Sequence, residues 1–179
     1  MPVDDNAQPN PAPRAATQLF VYGTLRHDQP EHGRFCRGVT GWRRARVRGR
    51  LWRISSGYLL LVVPPGDVLL GATSNPAADE HNRTRLAEPD EARRRAAGDG
   101  EAWVHGEVLS FRDAAEAWPT LDRWEDFSPD LPGAYQRCVV PVRMESRKDG
   151  EPEEVTTAWA YVATEPPARA FPLGAIAGA

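Results

Sequence analysis

The chain has 179 residues, 41% hydrophobic and 26% charged, which is the size and composition of one globular domain with polar extensions. Its net charge of −3, from 22 basic and 25 acidic residues, lacks the basic surplus of a dedicated nucleic-acid-binding domain. The best apolar run, Tyr58 to Val63, stops at Pro64-Pro65, far short of the roughly 18 residues a membrane span requires.

The first residues, MPVDDNAQPNPAPR, carry acid and proline where a secretory leader carries basic charge followed by an apolar block. Two cysteines, Cys36 and Cys138, are too few to staple a secreted scaffold. A soluble protein of a reducing cytoplasm is the expectation. Residues 1–17 have no apolar period and cannot bury enough surface to offset the entropy of ordering, so a flexible tail is expected there.

The folded unit is expected over residues 18–164, and its regular signals are mostly those of short strands. They are Leu19 to Tyr22, Val47 to Ile54, Tyr58 to Val63, Val68 to Ala72, Trp103 to Leu109, Cys138 to Val142 and Thr156 to Val162. Val104, Gly106 and Val108 alternate with Trp103, His105, Glu107 and Leu109, which predicts one core-facing side. Thr156 to Val162 is strand-compatible on both faces and reads as a strand covered on both sides. From Asn75 to Ala102 the chain turns polar, which predicts a surface excursion with a short helix at Pro89 to Ala97.

A second helix is predicted from Asp113 to Trp124, interrupted or bent at Pro119. Within it Leu121, Trp124 and Glu125 are spaced three and four apart and share a face, so a carboxylate ends an apolar stripe. From Glu165 to Ala179, Pro and Gly recur too often for a helix or strand. No internal repeat is present.

Three groups of residues invite chemistry. Phe20-Val-Tyr-Gly-Thr-Leu-Arg26 runs from an apolar strand into a Gly-Thr turn, where successive N–H groups can converge on one oxygen; the same pattern is compatible with a plain strand end. Trp42 to Arg53 interleaves six arginines with two tryptophans, compatible with a nucleic-acid surface or with a half-buried strand bearing a solvated arginine face. His27, His32 and Cys36 suggest a metal or Cys/His site, but Gly33 weakens the helix that would align them and no second ligand pair follows. We therefore expect no metal and no cofactor.

Taken in order, Phe20-Val-Tyr-Gly-Thr-Leu-Arg, His105-Gly-Glu-Val-Leu, Leu121-Asp-Arg-Trp-Glu125, Ala134-Tyr-Gln-Arg137 and Ala158-Trp-Ala-Tyr161 resemble the γ-glutamylcyclotransferase-like family. The likeness spans Leu19 to Val162, and Gln29-Pro-Glu-His with Tyr135-Gln-Arg looks closest to its γ-glutamylamine branch. The resemblance implies an α+β fold, a small mixed β-barrel with a few short helices. It also implies cyclisation of a γ-glutamyl amine or amide, a small-molecule substrate, to 5-oxoproline with release of the amine. Glu125 matches the essential general base and acid; Tyr22, Gly23, Thr24 and Leu25 match the loop that cradles the γ-glutamyl group; Tyr135 matches a site tyrosine. Arg137 is expected to be a structural or surface ion-pair residue.

Chemistry agrees, because the attacking amine arrives as an ammonium and requires a base. Many relatives carry glycine after the glutamate where this chain has Asp126, which places a second carboxylate beside the base. Substrate identity is expected to rest on the Ser128 to Ala134 stretch and on the excursion from Asn75. The alternative is a module of the same fold that binds a small ligand without turning it over. Oligomeric state is left open.

Overall fold

A computed structural model describes residues 16–86, 102–131, 133, 135–146, 153–163, 165–166, 168 and 170–173. The first strand, β1 (Thr17–Val21), is followed by helix α1 (Pro30–Phe35), strands β2 (Val39–Arg48), β3 (Arg50–Arg53) and β4 (Leu59–Val62), and a 3-10 turn at Pro65–Asp67. Then come β5 (Leu70–Gly71), α2 (Pro76–Leu86), β6 (Trp103–Phe111), α3 (Ala114–Trp124), β7 (Gln136–Met144), β8 (Glu154–Val162) and β9 (Phe171–Pro172).

Five strands close into a barrel in the order β2-β6-β1-β8-β7, with β7 returning to β2. The barrel is mixed: β1 runs parallel to β8 at Leu19 and Trp159, and the other pairs are antiparallel. One edge of β7 is shared, with β5 paired at Cys138 and Val139 and β2 paired at Arg143 and Met144. A smaller sheet, β4-β3-β9, joins the barrel through a parallel bridge between Val62 and Ala163.

Strand alternation sorts side chains into two cores. Phe20, Val104, Val108, Val140, Ala158 and Ala160 point into the barrel, whose narrow bore favours small residues. Leu19, Val21, Leu109, Val139, Trp159 and Tyr161 point outward, where α1 and α3 cover them with Cys36, Ala117, Trp118 and Leu121. The side of β6 opposite Gly106 is tighter still, since a Cβ there would collide with the Val21 carbonyl and the Phe20 ring.

The structure departs from the sequence reading at four places. The strand expected over Val47 to Ile54 is split, because Gly49 takes φ 151 with the Val62 carbonyl 2.5 Å from where its Cβ would sit. Pro119 lies inside an uninterrupted α3; burial of Ala117, Trp118 and Leu121 outweighs the one backbone bond that proline forfeits. The polar excursion begins with helix α2, started by Asn75, whose side chain accepts from the Ala78 amide at 3.1 Å, and by Pro76 in the first turn. Polar groups dock that helix, with Arg83 donating to the carbonyls of Thr157 and Ala16 and Glu80 accepting from the Trp159 indole. Lastly, Phe171 and Pro172 form a two-residue strand on β3, although proline and glycine argued against any strand there.

The helix expected at Pro89 to Ala97 lies outside the described residues. Three of the four arginines of β2 are ion-paired: Arg43 with Glu154 (2.7 Å), Arg46 with Glu153 (2.8 Å) and Arg48 with Asp67 (2.5 Å). Arg46 and Arg143 also flank the Trp103 ring, 4.8 and 5.0 Å from its centroid. No helix among the described residues is long and apolar enough to cross a membrane.

Gly106→Ala should push β6 off β1 and destabilise the fold by about 1–3 kcal/mol, the usual effect of overpacking. Thermal unfolding checks it; an unchanged melting temperature would show that the barrel yields at this point.

Candidate active site

A cavity of about 410 Å³ opens at the end of β1 between three structures. The turn after β1, Tyr22 to Leu25, forms one wall; the tip of the β3–β4 hairpin, with Ile54, Gly57, Tyr58 and Leu59, forms the second; the C-terminal end of α3, with Trp124, Glu125 and Asp126, forms the third. Phe20, Val21, Tyr135 and Tyr161 complete it.

The first wall is fixed from behind. The Tyr22 hydroxyl donates to the Tyr161 carbonyl (3.0 Å) and accepts from the Leu61 amide (3.2 Å), filling the gap where the small sheet meets β8. That phenol is fully used by the protein, so Tyr22 meets the cavity without a free polar atom on its side chain. The Leu25 carbonyl faces α1, 2.8 Å from His32 Nδ1 and 3.7 Å from Cys36 Sγ, and the Gly23 carbonyl accepts from the Arg26 amide at 3.2 Å. Among the described residues, the amides of Gly23, Thr24 and Leu25 find no acceptor, an arrangement that leaves three donors for an oxygen-rich guest.

His27, next along, is clasped by the buried Glu107 carboxylate, which accepts from its amide (2.8 Å) and lies 2.6 Å from its Nδ1, while the ring stacks on Trp42 at 3.6 Å. His27, Asp28 and Glu107 are near enough together to hold an ion, but both Glu107 oxygens already face His27. The His27, His32 and Cys36 grouping does not come together: His32 and Cys36 brace Leu25, and His27 belongs to Glu107. Burial, reinforced by the charge of Glu125, pushes the Cys36 thiol up to about 12, which leaves it protonated and unreactive at neutral pH.

The third wall presents the carboxyl. Helix α3 ends with the Phe127 amide bonded to the Asp122 carbonyl (2.8 Å) and the Asp126 amide near the Arg123 carbonyl (3.4 Å), a Schellman termination with Glu125 at the C-cap. Asp126 follows with φ 51, the left-handed conformation that glycine adopts freely and that aspartate tolerates. One turn earlier Asp122 accepts from the Tyr161 hydroxyl (2.6 Å) and pairs with Arg137 (3.1 Å), whose guanidinium lies 4.2 Å from the Trp118 ring centroid. Of the structural and surface ion-pair roles open to Arg137, the structure shows the buried one, and the pair pins the helix that carries Glu125.

Burial raises the Glu125 carboxyl from the ordinary glutamate range to about 7. Burial likewise lifts the neighbouring phenols of Tyr22, Tyr161 and Tyr135, the last to about 12, and the charge of Glu125 adds to each shift. Glu125 is therefore the group in this cavity able to gain and lose a proton near neutrality. The Tyr135 hydroxyl donates to the Leu59 carbonyl at 2.7 Å, so its polar end tethers the hairpin rather than reaching Glu125.

The structure therefore brings Tyr22, Gly23, Thr24, Leu25, Glu125 and Tyr135 to one cavity. Sequence reasoning missed the hairpin wall, whose signal was Ser55-Ser56-Gly57 between two apolar runs, a three-residue loop with Gly57 at φ 88. Of the segments expected to set substrate identity, neither the described part of Ser128 to Ala134 nor that of the excursion lines the cavity.

The family model for AIG2-like γ-glutamyl cyclotransferase matches residues 19–94 and 78–175, and the chain belongs to that family. Among solved structures it is similar to an AIG2-like protein from Mus musculus, at 20% identity and a TM-score of 0.50 over 87% of this chain and 82% of that one. It is also similar to a yeast γ-glutamyl cyclotransferase specific to glutathione, at 17% identity and a TM-score of 0.47 over 83% of this chain and 69% of that one. A third match is YkqA from Bacillus subtilis, at 20% identity and a TM-score of 0.43, covering 82% of this chain and 35% of that one. At these identities the likeness is one of fold. No curated protein sequence matches the chain.

A glutamate titrating near 4.5 when unfolded and near 7 when folded binds its proton more tightly in the native state, so its contribution to stability is greatest below pH 4.5 and is lost as pH rises to 7. Glu125→Gln removes that dependence. Chemical unfolding should find the variant close to wild type at pH 4.5 and more stable at pH 8, by up to about 3 kcal/mol. Parallel pH profiles for the two proteins would mean that Glu125 is not desolvated.

Proposed function

We propose that this chain is a cofactor-independent γ-glutamyl cyclotransferase of a reducing cytoplasm, with Glu125 as its proton shuttle. The observation that carries the proposal is the placement of Glu125, titrating near pH 7, in the same cavity as the unpartnered amides of Gly23, Thr24 and Leu25. The two buried free thiols fit the compartment.

In the proposed reaction the γ-glutamyl α-ammonium gives a proton to the Glu125 carboxylate, and the freed amine attacks the γ-carbonyl carbon. The new C–N bond closes a five-membered ring and places negative charge on the carbonyl oxygen, where the amides of the cradle would stabilise it. Collapse breaks the original C–N bond: Glu125 returns its proton to the departing nitrogen, then takes the second proton from the ring nitrogen and passes it to the released amine, leaving 5-oxoproline and an ammonium. Atoms and charge balance without an outside acid. A carboxyl near pH 7 suits both halves of this traffic, since a stronger acid would not hold the proton and a weaker one would not surrender it. The cradle also restrains the substrate near the ring-closing geometry, lowering the entropic part of the barrier.

The test is 5-oxoproline release, read by mass spectrometry, from γ-glutamyl amines, γ-glutamyl amino acids and glutathione. Glu125→Gln should fold and lose about 10²–10⁴-fold in turnover. In the wild type, kcat/KM should rise with pH through an acid-limb pKa near 7, as Glu125 becomes the base. Full activity in Glu125→Gln would overturn the mechanism.

A further inference from the structure

The turn that offers the amides of Gly23, Thr24 and Leu25 is anchored at both ends by one residue that does not itself line the cavity. Val21, the last residue of β1, lies opposite Glu107 in the antiparallel ladder with β6. The two strands approach there so closely that a Cβ on the neighbouring Gly106 would collide with the Val21 carbonyl. The Glu107 side chain then takes hold of His27: one oxygen accepts from its amide at 2.8 Å, and the other lies 2.6 Å from its Nδ1 with a proton held between them. The residues between, Tyr22 to Arg26, thus start and finish on the same residue of β6. The His27 ring is seated in addition on Trp42 of β2, the strand on the other side of β6.

Glu107 is 4% exposed, a costly place for a carboxylate unless its oxygens are hydrogen-bonded. Both oxygens face His27, while Arg26 has its Nε 4.0 Å away and makes its short contact with Asp28 at 2.6 Å. A turn with loose ends would sample many backbone states, and ordering it as a guest arrives would weaken binding by the entropy lost. Among the described residues no Lys, Arg or His lines the cavity, so an anionic oxygen of a guest relies on neutral donors whose direction is already set. On the premise that the cyclotransferase reading holds, we propose that Glu107 is a positioning residue: by tying His27 back to the end of β1, its carboxylate sets the cradle amides for the γ-glutamyl group without touching that group.

5-Oxoproline, the product common to the γ-glutamyl substrates whichever amine leaves, is the probe. Its dissociation constant is measured by calorimetry, beside thermal unfolding and kcat/KM on the γ-glutamyl substrate that the wild type turns over. Glu107→Leu fills the same buried space without an acceptor, and exchanging a buried ion for an apolar group of similar size is often neutral for folding. It should raise the dissociation constant and lower kcat/KM, each by about tenfold, the usual worth of hydrogen bonds to a charged group. Glu107→Gln keeps an oxygen for the His27 amide and offers a donor to Nδ1, and it should stay within about threefold of wild type. His27→Ala reaches the clamp from its exposed end; it loses the ring contact but keeps the amide bond, and it should raise the constant about threefold to fivefold. A carboxylate that served folding alone would change the melting temperature of the Leu variant and leave the constant of the folded protein unmoved. An unchanged constant in folded Glu107→Leu, or in His27→Ala should the Leu variant not fold, overturns the clamp, as does a Gln variant as impaired as the Leu one. A wild type that neither binds nor forms 5-oxoproline removes the cyclotransferase reading and the clamp with it, whereas an active wild type with unmoved variants removes the clamp alone.

Discussion

The buried pairing of Arg137 with Asp122 underlies the rest of the site. Arg137 rises from β7 into a box of Trp118, Phe127 and Trp159, and its charge is answered by Asp122 on α3, which also accepts from Tyr161 on β8. One contact therefore locks a helix to two neighbouring barrel strands. Buried ions are costly unless paired, and removing one partner of such a pair typically costs about 3–5 kcal/mol, so the helix end has little freedom to drift. Glu125 follows Asp122 by three residues. The desolvation that raises its pKa is a by-product of that anchoring, since a frayed helix end would admit water to the carboxyl.

The barrel supplies the other half of the arrangement. Its bore is filled by small and medium side chains, and the large aromatic residues of β8 are sent outward under α3. The candidate cavity lies where the parallel pairing of β1 and β8 ends and the small sheet begins, lined by Phe20 from the barrel core and Val21 from the outer one. Tyr22 closes this junction by substituting its hydroxyl for backbone partners on both sides. The same residue that opens the cradle is thus a splice between two sheets, and its phenol serves architecture while the amides after it remain for a guest.

Much of this was legible in the sequence where a periodic signal existed. Four of the five barrel strands carry readable strand signals, most of β2 lying ahead of the Val47 to Ile54 signal, and the stripe Leu121, Trp124 and Glu125 predicts a carboxylate at a helix end. The order of short motifs singles out the Tyr22 to Leu25 turn and Glu125, which the structure brings to one cavity. Less legible were elements held by polar contacts. Helix α2 docks through Arg83 and Glu80 rather than an apolar face, so hydrophobic periodicity was blind to it, although Asn75-Pro76 was a readable start. The break at Gly49 depends on the Val62 carbonyl, a contact made only after folding. The hairpin wall was hidden for a similar reason: a turn can be read from Ser-Ser-Gly, but not the cavity it will overhang.

The termination of α3 also limits how this site can be tuned. With Glu125 at the C-cap, the residue after it must sit in the left-handed region, which admits glycine, asparagine and aspartate at modest cost and penalises most others. Glycine and asparagine leave that position neutral, and aspartate makes it negative. A lysine or arginine there would have to strain the very turn that aims the glutamate. The backbone therefore offers position 126 a choice between no charge and one negative charge, and any positive charge beside Glu125 has to come from a different element.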